Sequence, residues 1–571
     1  MKRVFAYLKP YYPRMALGLF IKIMGTFMDL GLPWVLAYIL DDVIPKKSVS
    51  KILWWGAGML LLSVGARTLN IVANRMASKV ARDATETLRH DLFQKILSLS
   101  GRQLNYFTIP SLESRMTSDT YNIHHMIGMM QRIGVRAPII LIGGIIITST
   151  LEPVLTLILI GVFPFMALIV YLVSKKGIPL YTNLQETVDK MVRVVRENIT
   201  GVRVIKALSK NEYEKERFSS VNKEVVDKEL KAGTLMAVTN PAMNFLLNMG
   251  LTLVVIVGAF RVNSGSSEPG KIVAFLSYFM IMLHAVMAIT RIFIGISKAS
   301  ASANRIAEVL DTEDDLKEIP IEPVDSDYHI EFNNVSFSYT QESFITDISF
   351  GIKKGESLGI IGSTGSGKTT LVHLLMRFYD VDKGSIRING VDIRSIDKQK
   401  LRGMFGVAFQ NDVLFADNIY ENINLGRGLT REDVIKATED AQAASFILNK
   451  DDELNHKLTI KGSNLSGGQK QRLLIARALA GKPEILILDD SSSALDYKTD
   501  AQLRKSIRNN YKGTTSIIIA QRISSVMKLD KILVLEEGHM VGYGTHEELL
   551  KTCSVYQEIY HSQFGQLEGV L

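Results

Sequence analysis

Residues Leu465–Asp496 read LSGGQKQRLLIARALAGKPEILILDDSSSALD. A Gly-rich Ser loop opens a helix, and the short apolar run Ile485–Leu488 then reads as a buried strand ending in Asp489-Asp490. A small-residue loop closes the stretch at Asp496. Upstream, the buried strand Ser357–Ile361 runs into GSTGSGKTT, Gly362–Thr370, which is G-x-x-x-x-G-K-[ST] in its required strand–loop–helix setting. In such a loop Gly362, Ser363, Thr364, Gly365, Ser366 and Gly367 curl successive backbone N–H groups around phosphate oxygens. The helix from Thr370 adds the positive end of its dipole. Lys368 reaches the outer phosphates and Thr369 offers its hydroxyl to Mg²⁺. Asp489, at the carboxyl end of the second strand, is placed to hold the same ion. The motifs therefore predict an α/β half that binds ATP with Mg²⁺.

The chain has 571 residues, too many for one compact domain. Its 47% hydrophobic and 22% charged composition hides a split, because the long apolar runs lie in the first 300 residues. Six segments are long enough to cross a bilayer core, near 15–40, 52–73, 133–150, 154–173, 240–261 and 271–297. The basic, aromatic start MKRVFAYLKPYYPR reads as an interfacial elbow leading into an uncleaved membrane helix. The two long connections, about 75–132 and 175–237, carry 8 and 13 Lys plus Arg and are mostly helix-forming. That bias puts both loops, the N-terminus and the ATP domain in the cytoplasm of a multi-pass protein of the plasma membrane. The net charge of +8 follows from this arrangement and does not point to nucleic acid. A single cysteine, Cys553, excludes an internal disulfide. The expected domains are a helical membrane domain at 1–310, an acidic linker at 311–327 and the ATP domain at 328–571.

The loops break near Leu104–Pro110 and Gly201–Tyr213, where a short crosswise helix at each tip is expected to touch an ATP domain. Asn240, Asn244 and Asn248 share one helix face, and Arg67, Asn70 and Asn74 another, with Asp29 and Arg291 as further polar membrane positions. They line a translocation cavity or act as interhelical glue. Phe275, Tyr278, Phe279, Met280 and Met287 are either a substrate-adapting surface or plain core.

Leu465-Ser466-Gly467-Gly468-Gln469 is the signature of ABC-type ATPases. With GSTGSGKT and ILILDD in order, residues 328–571 resemble an ABC nucleotide-binding domain. The six spans ahead of it, and ENITGVRVIKALSKNEYE from Glu197, resemble an ABC exporter half-transporter. The resemblance implies that Tyr339 stacks on adenine and that Gln410 senses Mg²⁺ and the attacking water. It also implies that Ser493–Asp496 reaches the other ATP domain. In the family two such domains sandwich two ATPs head to tail. Ser466, Gly467, Gly468, Gln469 and Asp496 would then serve the ATP on the opposite P-loop.

The sequence departs from the family at two catalytic positions. Asp490 stands where the general base is usually Glu, and Gln521 where a His usually contacts the γ-phosphate. The shorter Asp490 carboxylate falls roughly 1–1.5 Å short, and such a displacement costs on the order of 10²-fold. The pattern resembles the degenerate-site subunit of bacterial heterodimeric multidrug exporters. It implies a second, non-identical half-transporter as partner, the lipid bilayer as medium and a hydrophobic or amphipathic small molecule as cargo. A lipid or peptide exporter, or an ATP-gated membrane sensor without cargo, are the alternatives.

Overall fold

The structure, a computed structural model, describes residues 2–339, 344–410, 412–450, 452–491 and 493–565. The side chains of Lys2, Ser174, Thr290, Arg291, Phe293 and Ile294 lie outside that description, so the expectation for Arg291 does too. The chain forms two compact units, Met1–Leu97 with Pro110–Thr312, and Ser98–Ile109 with Glu313–Leu571.

The first unit is all helix, with six helical segments long and apolar enough to cross a membrane. The helix Pro153–Thr200 has 48 residues, which at 1.5 Å each make about 72 Å. That is over twice the hydrocarbon core of about 30 Å, so it continues well past the membrane. Val49–Ser98, with 50 residues, is longer still. Gly201 ends the Pro153–Thr200 helix, a short helix Val202–Ala207 with no buried residue forms the tip, and Asn211–Ala237 returns. Phe275, Tyr278 and Phe279 are at most 1% exposed, so they are core rather than a substrate surface. Asn240, Asn244 and Asn248 form an exposed stripe on this single chain.

The second unit holds two sheets. The strands are β1 (Ile330–Phe337), β2 (Ile345–Ile352), β3 (Ser357–Gly362), β4 (Lys383–Ile388), β5 (Val391–Asp392), β6 (Phe405–Ala408), β7 (Ile485–Asp489), β8 (Thr515–Ile519), β9 (Lys531–Glu536) and β10 (His539–Gly544). An antiparallel sheet runs β2-β1-β4-β5, and a six-stranded sheet runs β10-β9-β3-β8-β7-β6. In the latter β9, β3, β8, β7 and β6 are parallel. Buried on both faces, these strands are near-continuous apolar runs, and every residue of β7 is buried.

Residues 98–109 lie between two membrane helices in sequence but belong to this second unit. Their helix, Gly101–Phe107, is closed by a capping box between Ser100 and Gln103. Ser100 Oγ donates to Asp315 at 2.7 Å, Gln103 Nε2 to the Glu313 carbonyl at 2.7 Å, and Asn105 Nδ2 to Tyr379 Oη at 3.2 Å. The Gly101 amide donates to the Phe378 carbonyl at 3.2 Å. A Cβ on Gly101 would lie 2.5 Å from the Tyr379 ring, so a side chain there must displace that ring.

Candidate functional site

Four adjacent parallel strands each deliver one part of the site at their carboxyl ends. β3 runs into the phosphate loop, β8 leads to Gln521, β7 ends in Asp489-Asp490, and β6 leads to Gln410. β7 is paired with β8 at Asp489↔Ile519 and with β6 at Ala408↔Leu488. Because neighbouring strands lie about 4.8 Å apart, residues just past these pairs are brought within side-chain reach of Asp490.

The phosphate loop is set by backbone geometry. Gly365 and Gly367 have φ of +87° and +96°, left-handed conformations that glycine adopts without cost. A Cβ at Gly367 would also meet Ile345 at 2.4 Å. The helix Lys368–Leu375 starts immediately after. Lys368 Nζ donates to the Gly362 and Ser363 carbonyls at 3.0 and 2.7 Å, lying across its own loop. Burial lowers its ammonium below the usual lysine range, and Asp489 and Asp490 oppose that. Ser363, Thr364 and Gly365 are exposed, whereas Ser366 is buried and its Oγ has no hydrogen-bond partner among the described residues. A buried donor without a partner inside a ring of backbone amides fits a phosphate oxygen.

Thr369 Oγ1 donates to Asp489 Oδ2 at 2.8 Å, so two of the three candidate Mg²⁺ residues already touch, while Gln410 bonds Asp490 instead. Burial pushes the Asp489 carboxyl above the usual aspartate range, and Asp490 adds to this. A buried carboxylate beside a hydroxyl fits a hard divalent cation, which would neutralise phosphate charge there.

Asp490 sits in the left-handed region at φ +45°. Its Oδ2 accepts from Gln521 Nε2 at 3.0 Å and from Gln410 Nε2 at 3.2 Å. Burial raises this carboxyl as well, while Lys368, Arg522 and the two amides pull it down. Gln521 and Asp490, the two departures seen in the sequence, are thus in direct contact. Sequence reading placed both residues in the site but missed that contact, because it depends on β7 lying beside β8 with Asp489 opposite Ile519.

Tyr339 does not present a bare face. Its hydroxyl lies 3.2 Å from Thr370 Oγ1, and its ring packs edge-on against Phe337, Phe344 and Tyr379 at 4.8–5.4 Å. It remains 38% exposed, beside the start of the loop helix. The signature forms a second surface. Ser466 caps the helix Gly467–Ala480, and its side chain and that of Gln469 make reciprocal bonds at 3.3 and 3.0 Å. Ser466 and Gly467 are exposed and Gly468 and Gln469 half-buried. Asp496 caps the next helix, Tyr497–Asn510, through Thr499. Among the described residues, no hydrogen bond joins the signature to the phosphate loop.

The sequence matches the family of the ABC transporter transmembrane region over residues 15–286 and the ABC transporter family over 345–493. It is 35% identical to the uncharacterized ABC transporter ATP-binding protein YfiB of Bacillus subtilis (strain 168), over 99% of each chain. It is 29% identical to the ATP-dependent lipid A-core flippase of Syntrophus aciditrophicus (strain SB), over 99% of this chain and 94% of that one. The structure of a bacterial Atm1-family ABC exporter with ATP bound shares the fold at a TM-score of 0.82 and 24% identity, over 97% of this chain and 98% of that one. The chain belongs to the ABC transporter family. It is a multi-pass membrane protein whose ATPase domain uses ATP with Mg²⁺ and couples hydrolysis to transport.

Proposed function

We propose that this chain is one half of an ATP-driven exporter of hydrophobic or amphipathic compounds, paired with a non-identical half-transporter. The observation that carries the reading is the Asp490 carboxylate, which accepts from both Gln521 and Gln410 on the same oxygen. An oxygen that already accepts two amide bonds is a poor base for water, and Gln521 cannot supply imidazolium charge to a γ-phosphate. The chain's own P-loop site then binds ATP but turns it over slowly. Its exposed signature completes a competent site on the partner. The polar stripe Asn240–Asn248 supports a partner too, because amides left against lipid are costly.

The two ATP domains close on bound ATP, and hydrolysis at the competent site reopens them. The membrane helices follow through the loop tips at 104–112 and 201–213. The N-terminus and ATP domain face the cytoplasm of the plasma membrane. A lipid cargo is the second reading, favoured by the similarity to a lipid A-core flippase along nearly the whole chain. ATP-dependent uptake of a dye or a labelled lipid into inside-out vesicles, with the chain alone and with the co-purified complex, tests both points. Full substrate-stimulated ATPase in the chain alone would overturn the heterodimer. Absence of uptake of either probe by the complex would overturn the exporter.

A further inference from the structure

Within the membrane unit, a cavity of about 410 Å³ opens between the helix Val135–Leu151 with its preceding turn and the helix Pro269–Leu310. This lies in the usual range of small-molecule sites, about 300–1,000 Å³. Ile133, Ile140, Ile281 and Ala288 are among its walls, and Arg136 and His284 are its basic groups. The preceding turn, Met130–Gly134, is π-helical, a widened geometry that recurs at functional sites, and it carries Ile133 and Arg132.

Arg136 reaches from this cavity into a buried charge cluster. Its Nη2 donates to Asp29 Oδ2 at 2.9 Å, and Asn70 Nδ2 also donates to Asp29 at 3.3 Å. Arg136 Nε is buried with no partner among the described residues, although the side chain as a whole is 37% exposed. Behind it Lys22, only 3% exposed, donates to the uncharged amide of Asn74 at 3.0 Å. The charges acting on Lys22 are Arg136, Arg132 and Asp29. Among the described residues, the buried Lys22 and the half-buried Arg136 therefore share the single carboxylate of Asp29, and such an excess of positive charge is costly unless an anion offsets it. At the other side of the cavity His284 Nδ1 lies 2.8 Å from the Met280 carbonyl. A carbonyl only accepts, so Nδ1 holds the proton and Nε2 is left as an acceptor, which leaves Arg136 as the group that donates to an anion.

We infer that this cavity binds the acidic head of an amphipathic anion, a carboxylate or phosphate, with Arg136 on the head and the aliphatic walls on the tail. The site deepens the exporter reading and rests on it for its role in transport; the binding itself rests on the cavity.

The test uses the full chain, in its native complex, in phosphatidylcholine nanodiscs. The probes are 11-(dansylamino)undecanoic acid and its methyl ester, followed by dansyl fluorescence. The acid is expected to bind about tenfold tighter than the ester. Because Arg136→Gln alone strands Asp29, the variant is Arg136→Gln with Asp29→Asn. It is expected to bind both probes equally, with ester affinity unchanged, and Arg136→Lys to keep part of the preference. Equal binding of acid and ester by the unaltered protein, or a preference that survives the double variant, would overturn the site. Competition by added phosphatidylglycerol would assign it to a bilayer headgroup, and lack of competition to a dissolved amphiphile. Acid-selective binding without ATP-dependent uptake of any probe would keep the site and overturn the exporter. Uptake without acid selectivity would do the reverse.

Discussion

Gln521 donates its side-chain amide to the carboxylate of Asp490 at 3.0 Å, so the two residues that depart from the family pattern form one unit. The short Asp490 side chain and its left-handed backbone belong together, since Asp tolerates that region better than longer residues. Replacing only one member leaves the other mispaired. Asp490→Asn is expected to change turnover of the intact complex less than twofold. Asp490→Glu with Gln521→His is expected to raise hydrolysis at this site on the order of 10²-fold, the cost assigned above to misplacement. Single-turnover assays with the partner's site inactivated measure both, and a slow double variant would place the deficiency elsewhere.

Asp489 links stability to pH. Burial holds its folded-state carboxyl above the unfolded value. Its contribution to stability is therefore fully present below the unfolded pKa and is lost as pH rises through the raised folded value. At neutral pH the nucleotide-free domain carries that penalty. Asp489→Asn is expected to raise the unfolding midpoint of the ATP domain by about 2–4 °C at pH 7, with no gain in acid. The same variant is expected to lose the stabilisation that Mg²⁺-ATP gives the unaltered protein. Thermal scans at two pH values, with and without Mg²⁺-ATP, decide this; an equal gain at both pH values would contradict it.

Ser466 is expected to matter in a way its own domain does not register. Ser466→Ala removes a helix cap worth about 1 kcal/mol, a small loss for a domain of this size. If the signature serves the opposite P-loop, ATPase of the complex should fall at least about tenfold while azido-ATP labelling of this chain persists. Unchanged ATPase would argue against a shared site.

Gly101 sits against Tyr379, and any side chain there would push on the Tyr379 ring. Gly101→Val is expected to unseat the helix Gly101–Phe107, leaving ATP binding intact and transport lost. Tyr379→Ala in the same chain should restore part of the transport by opening that space. Vesicle uptake measured beside nucleotide binding separates this from general misfolding.

Much of the architecture was legible because its determinants are local. Apolar length marked the membrane helices, and Gly365, Gly367, Lys368 and Thr369 carry the phosphate loop within five consecutive positions. The chain breaks at Thr108, within Leu104–Pro110, and at Gly201 were readable for the same reason. What stayed hidden depends on pairing at long range. The antiparallel partners of β1 are set by registers with bulges that no short pattern encodes. The Asp490–Gln521 bond follows from β7 lying beside β8, and Tyr339 turned its hydroxyl toward Thr370 because three neighbouring rings occupy its flanks. Likewise Arg67, Asn70 and Asn74 share a helix face, yet Asn70 is buried on Asp29 while Arg67 is exposed.

The seat of residues 98–109 also sets an order of events during synthesis. Asn105 and Tyr379, which bond each other, are 274 positions apart. At about 5–20 residues per second, the ribosome takes roughly 15–55 s to make the second after the first. Through that interval the early segment has no seat, and four further membrane helices are inserted. The nascent chain must therefore settle its topology before its ATP domain exists. A slow codon run or a chaperone acting between residues 110 and 380 would change the yield of the finished protein without altering a single native contact.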